Sequence, residues 1–261
     1  MVSEQPSQPV FFGVSALLFA ASAALTIAWC ESMSDMAEMS MPGGWTMSMA
    51  WMRMPGQTWL GAASSFLVMW VVMMVAMMLP SLIPMLSRYR QALGRTGEMR
   101  LGRLSTLVGV GYFFVWTGFG IVAFSLGVTL AAIEMRQPAL ARAVPIAVCA
   151  VFLFAGALQF TAWKAHHLAF CRETPGEADH RVPVDAWRYG LRLGLHCSYT
   201  CAGLTVILLV VGVMDLRAMA LVTAAITVER LAPAGERVAR AIGAVVVGTG
   251  LFLIARTAGL G

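Results

Sequence analysis

Cys197 and Cys201 stand four residues apart in the apolar run GLRLGLHCSYTCAGL, with His196 directly before the first. On a helix this spacing puts both thiols on one face, and thiolate and imidazole are strong ligands for copper or zinc. No second pair of cysteines completes a zinc-ribbon pattern among the five in the chain (Cys30, Cys149, Cys171, Cys197, Cys201), and their odd number and irregular spacing argue against a disulfide framework. A second soft-ligand series lies in VMWVVMMVAMMLP, Val68 to Pro80. Met69, Met73 and Met77 recur every four residues and form one slowly drifting stripe, while Met74 and Met78 form an adjacent pair. Pro80 and Pro84 then free backbone carbonyls and are expected to kink the helix. Methionine also fills irregular gaps in apolar cores, so the stripe is either a row of thioether ligands or packing beside a kink.

The third series is CESMSDMAEMSMPGGWTMSMAWMRMPGQTW, which holds Met33, Met36, Met39, Met41, Met47, Met49, Met52 and Met54. Repeated Met-x-Met and Met-x-x-Met spacing lets neighbouring thioethers converge on one ion. Such sulfur prefers Cu(I), and silver satisfies the same chemistry. Glu31, Asp35 and Glu38 add electrostatic attraction for cations. The competing reading is an interfacial loop whose methionines, Trp45 and Trp51 rest on a membrane surface.

These residues need a scaffold, and composition names it. The 261 residues are 59% hydrophobic and only 12% charged, with a mean hydropathy of +0.77; a soluble domain carries about 25% charged residues. Stretches of about twenty apolar residues predict an all-α, polytopic membrane bundle in contact with the lipid bilayer. The expected spans are 10–29, 59–87, 104–133, 140–163, 191–213, 216–231 and 238–257, seven in all, in one membrane domain over residues 1–261 with an external loop at 30–58. The first span lacks a basic flank, and Trp29 is too bulky for a cleavage site, so it reads as a helix and not a leader. The net charge of +5 does not indicate nucleic acid, because the positive residues fall in short loops. Thirteen of them, including Lys164 and Arg230, lie on one side and five on the other, which puts the amino terminus in the cytoplasm. The sixth span is the shortest, and this asymmetry holds only if it crosses.

Within the spans, Cys201 and Met77 each lie about ten residues, roughly 15 Å, from the cytoplasmic surface. His196 and Gln159 share a shallower level. Glu229 at the end of the sixth span is a candidate to ligate, to cap or to pair with Arg230. Glu134 reads as a solvated carboxylate. His166, His167 and Cys171 could receive an ion on the inner side, or simply be solvated.

MVAMMLPSLIPM, AGALQFTAWK, GLHCSYTCAGL, GVMDLRAMA and VERLAP together resemble a bacterial family described as predicted metal-binding integral membrane proteins, also catalogued as domain of unknown function 2182. The similarity runs from the second span to the seventh. It implies metal binding and points to Met74, Met77, Met78 and Pro80, to Gln159 and Lys164, to Cys197 and Cys201, and to Glu229. Relatives carry Tyr or another residue at the position of His196, and the outer loop lies outside the pattern.

Three functions follow from these readings. The leading one is an inner-membrane copper protein of a bacterium: outer methionines capture Cu(I), the stripe holds or passes it, and the cysteines bind it more tightly. It would work with a partner membrane or periplasmic protein, since no nucleotide-binding loop is present to drive transport. The second is a copper-dependent membrane oxidase or monooxygenase, or a subunit of one, which needs imidazole and carboxylate ligands with an open position. The third is a structural or assembly factor without metal. Whether the chain is an enzyme stays open.

Overall fold

The computed structural model describes residues 7–34, 39–41, 45–48, 51–53, 56–93, 97–171 and 183–257. The described residues form eight helices and one short ribbon: α1 (Ser7–Ser34), β1 (Met39–Met41), β2 (Trp45–Met47), α2 (Trp59–Ala92), α3 (Glu98–Arg136), α4 (Pro138–Leu158), α5 (Ala162–Phe170), α6 (Pro183–Val211), α7 (Leu216–Leu231) and α8 (Gly235–Thr257). The expected all-α bundle is what forms. Six of the helices, all but α5 and α7, are long and apolar enough to cross a membrane. The difference from seven lies in α7, which has the expected bounds but only 16 residues, about 24 Å of rise.

The expected fourth span, 140–163, is broken. α4 stops at Leu158, and the Thr161 hydroxyl accepts from the Lys164 backbone N–H to start a new nine-residue helix, α5. A threonine cap satisfies an amide that a continuous helix would have bonded internally. The break turns Lys164 and His167 towards the bundle, while His166 stays exposed.

α3 and α6 pack through glycine. A Cβ at Gly190 would sit 2.3 Å from the Val108 carbonyl oxygen, and one at Gly194 would sit 2.9 Å from that of Tyr112. From the other side, Gly111 faces the Trp187 carbonyl oxygen at 2.8 Å. Small residues four apart let two helix backbones approach in this way where no hydrophobic effect drives helices together. The contact holds Tyr112 of α3 against the thiol face of α6.

α2 begins at Thr58, whose hydroxyl accepts from Gly61 N–H at 3.1 Å, and continues through Pro80 and Pro84 to Ala92. It packs on α1, α3 and α7, whereas α6 packs on α3, α4, α5 and α7. The methionine helix and the cysteine helix therefore meet through α3 and α7. At the end of the bundle where α2 begins, Trp45 Nε1 donates to the Ala141 carbonyl at 2.8 Å and the Trp51 ring packs on Phe66. These tryptophans are held by contacts with the bundle.

Replacing Gly190 with Ala forces a methyl group into the Val108 carbonyl. The expected outcome is a loss of roughly 1–3 kcal/mol, the usual cost of overpacking, seen as a lower melting temperature in detergent. Gly118→Ala, where a Cβ meets nothing within 4 Å, serves as the control and leaves it unchanged or raised.

Candidate metal centre

Cys197 and Cys201 are buried on the inner face of α6, with their sulfurs 4.0 Å apart. Two thiolates each about 2.3 Å from one ion span at most ~4.6 Å, so this separation admits a shared metal with little movement. The Tyr112 hydroxyl lies 2.7 Å from Cys197 Sγ. Thr200 Oγ1 donates to the Cys197 carbonyl at 2.7 Å and lies 3.7 Å from Cys201 Sγ.

Arg230, at the end of α7, reaches into this group from a buried position. Its Nη2 donates to Thr200 Oγ1 at 3.0 Å and points at Cys201 Sγ at 3.6 Å, and its Nη1 lies 3.4 Å from Ser81 Oγ of α2. Its Nε has no partner among the described residues. One guanidinium thus ties α2, α6 and α7 together at the level of the thiols.

Glu229 does not pair with Arg230. Its carboxylate accepts from Lys164 Nζ of α5 at 2.8 Å, and the same ammonium donates to Gln159 Oε1. Lys164, Glu229 and Gln159 are all buried. Three of the thirteen positive residues assigned to one side by the loop count, Arg90, Lys164 and Arg230, are buried, and ten against five remain. Because Lys164 and Glu229 offset one another, Arg230 is the charge that the sulfurs face.

Met73, Met74, Met77 and Met78 are all buried and belong to the same contiguous apolar cluster as the two cysteines; Met69 is half-buried at its edge. The predicted stripe faces protein and not lipid. His196 points elsewhere. Its Nδ1 lies 2.7 Å from Nδ1 of His167 on α5, and its ring stacks on Phe170. Adjacent positions on a helix point about 100° apart, which is why His196 does not share the cysteine face. Burial, with the neighbouring His166 second, pushes the His167 imidazole below its usual range, which favours the neutral ring.

In the outer segment, Met33 ends α1 half-buried, and Met41 is half-buried opposite Trp45. Met39 and Met47 are cross-strand partners in the ribbon, and Met47 is buried. Met36 and Met49 lie outside the described residues. Cys30 of α1 donates to the Met214 thioether at 3.9 Å. All five cysteines are free thiols, and among the described residues no three His, Cys, Asp or Glu side chains converge as a metal cluster. Sequence reasoning missed Tyr112 as a neighbour of Cys197 and read Arg230 as a loop charge. The Gly190–Gly194 spacing beside the cysteines was the available signal for a close helix partner.

Two neighbouring buried thiols facing a buried guanidinium mark out one region of this helical bundle. In the family comparison, residues 67–253 match the family PpoB2, described as a copper chaperone. The chain belongs to that family, and its function is copper-related. No curated protein and no solved structure gives a match.

The ion pair has a measurable signature. Lys164→Met or Glu229→Gln alone leaves one buried charge uncompensated and is expected to cost about 3–5 kcal/mol. The Lys164→Met/Glu229→Gln double variant costs less than either, as read from denaturation in detergent.

Proposed function

We propose that the protein is an integral membrane copper chaperone that binds Cu(I) between Cys197 and Cys201 and delivers it to a partner membrane or periplasmic protein. The observation that carries this reading is the charge of the site. Two thiolates around Cu(I) form a monoanion, and Arg230 supplies one positive charge beside it. A divalent ion between the same thiolates makes a neutral complex and leaves the guanidinium unbalanced in apolar surroundings, which is costly. The arrangement therefore favours a soft monovalent ion, Cu(I) or Ag(I), over Zn(II).

Met77 and Met78, with Met73 and Met74, are buried in the same apolar cluster as the thiols, and thioethers suit Cu(I) as well. Met33, Met39, Met41 and Met47 lie on the α1 end and the ribbon, where an ion arriving from outside would first meet sulfur. Glu229 acts by holding Lys164 rather than as a ligand. The bundle sits in the bacterial inner membrane with its amino terminus in the cytoplasm, as the remaining excess of Arg on one side supports. α7 crosses as the sixth of seven spans.

Titration of the purified protein with Cu(I) against a chromogenic chelator tests the assignment. One tight equivalent is expected in the wild type and its loss in the Cys197→Ser/Cys201→Ser variant; unchanged binding in that variant overturns the site. Arg230→Gln is expected to weaken Cu(I) binding roughly ten- to hundredfold, from the 1.5–3 kcal/mol typical of a hydrogen bond to a charged group, without weakening Zn(II) binding.

A further inference from the structure

We infer that His167 and His196 form a second site for a monovalent soft cation, a two-coordinate bis-imidazole site separate from the thiol pair. The inference rests on the copper reading above. Its ligands come from different helices, α5 and α6, and they face each other through the same ring nitrogen, Nδ1 to Nδ1, at 2.7 Å. In this arrangement one proton sits between two lone-pair directions. Two imidazoles that share a metal at about 2.0 Å per nitrogen stand ~4 Å apart, so the site forms when the rings part by a little over an ångström. The ring that donates through Nδ1 moves that proton to its own Nε2. No proton is gained or lost, and the cation adds one positive charge.

The surroundings suit an ion held between rings. The Trp163 ring meets His167 edge-on at 4.7 Å, Phe170 stacks on His196 at 3.7 Å, and Tyr199 lies 5.1 Å from His167. Both histidines are half-buried, so the pair is reachable without being fully solvated.

Position gives the site a role. His196 directly precedes Cys197, and a small water-sized cavity has in its lining both Trp163 and Tyr199, the aromatic neighbours of His167, and Thr200, whose hydroxyl Arg230 holds. Neutral imidazole is a weaker ligand than thiolate for Cu(I) and lacks the adjacent guanidinium. The pair is therefore a release station, where the ion is held loosely before it leaves.

The test uses the full-length protein in detergent, with Ag(I) as a redox-inert probe. Wild type is expected to bind two ions and Cys197→Ser/Cys201→Ser to retain one, more weakly. In that thiol-free protein, Ag(I) is expected to shift the 15N resonances of two imidazole Nδ1 atoms among the four histidines, and adding His167→Gln is expected to abolish the remaining binding. A thiol-free protein that retains no Ag(I), or Nδ1 resonances that do not move, overturns the second site and leaves the thiol site standing. A wild type that binds no Ag(I) or Cu(I) overturns the copper reading itself.

Discussion

A buried guanidinium governs this molecule. Arg230 lies in the interior of an apolar bundle, and the groups within its reach are two hydroxyls and a cysteine sulfur. Withdrawing such a charge from water costs several kcal/mol unless anionic or strongly polar partners replace the solvent. Ser81, Thr200 and Cys201 supply part of that replacement, and the proposed thiolate–Cu(I) monoanion would complete it. The same contact joins three helices, so the demand for a counter-charge and the geometry of the bundle are coupled.

Two backbone features place the sulfurs for this role. The glycines of the α3–α6 contact bring the helices close enough for Tyr112 to meet Cys197. The turn at Gln159–Thr161 interrupts what would be a single span, and α5 carries Lys164 to Glu229 and His167 to His196. Without that turn, Glu229 would lack its ammonium partner at the foot of α7.

Much of this was legible in the chain. Apolar run lengths gave the helical bundle and nearly every helix, and four-residue spacing put Cys197 with Cys201 and grouped Met73, Met74, Met77 and Met78 on a buried face. What periodicity could not supply was which faces meet. A loop-charge count treats Lys164 and Arg230 as solvated because it sees position along the chain and not the turn of a helix, and both are buried. His196 looked like a neighbour of Cys197 because it is one in sequence, yet consecutive residues diverge around a helix axis. Tyr112 carries no motif; only the tight glycine packing, a three-dimensional property, selects it. Met36 and Met49 fall outside the described residues.

The central claim is that sulfur of Cys197 and Cys201, charge-matched by Arg230, holds monovalent copper. X-ray absorption at the copper edge, on protein carrying a single equivalent of copper, tests it most directly. The account predicts a Cu(I) edge with a first shell of two short thiolate sulfurs, with or without a longer thioether. A first shell of nitrogen and oxygen alone at one equivalent would contradict it.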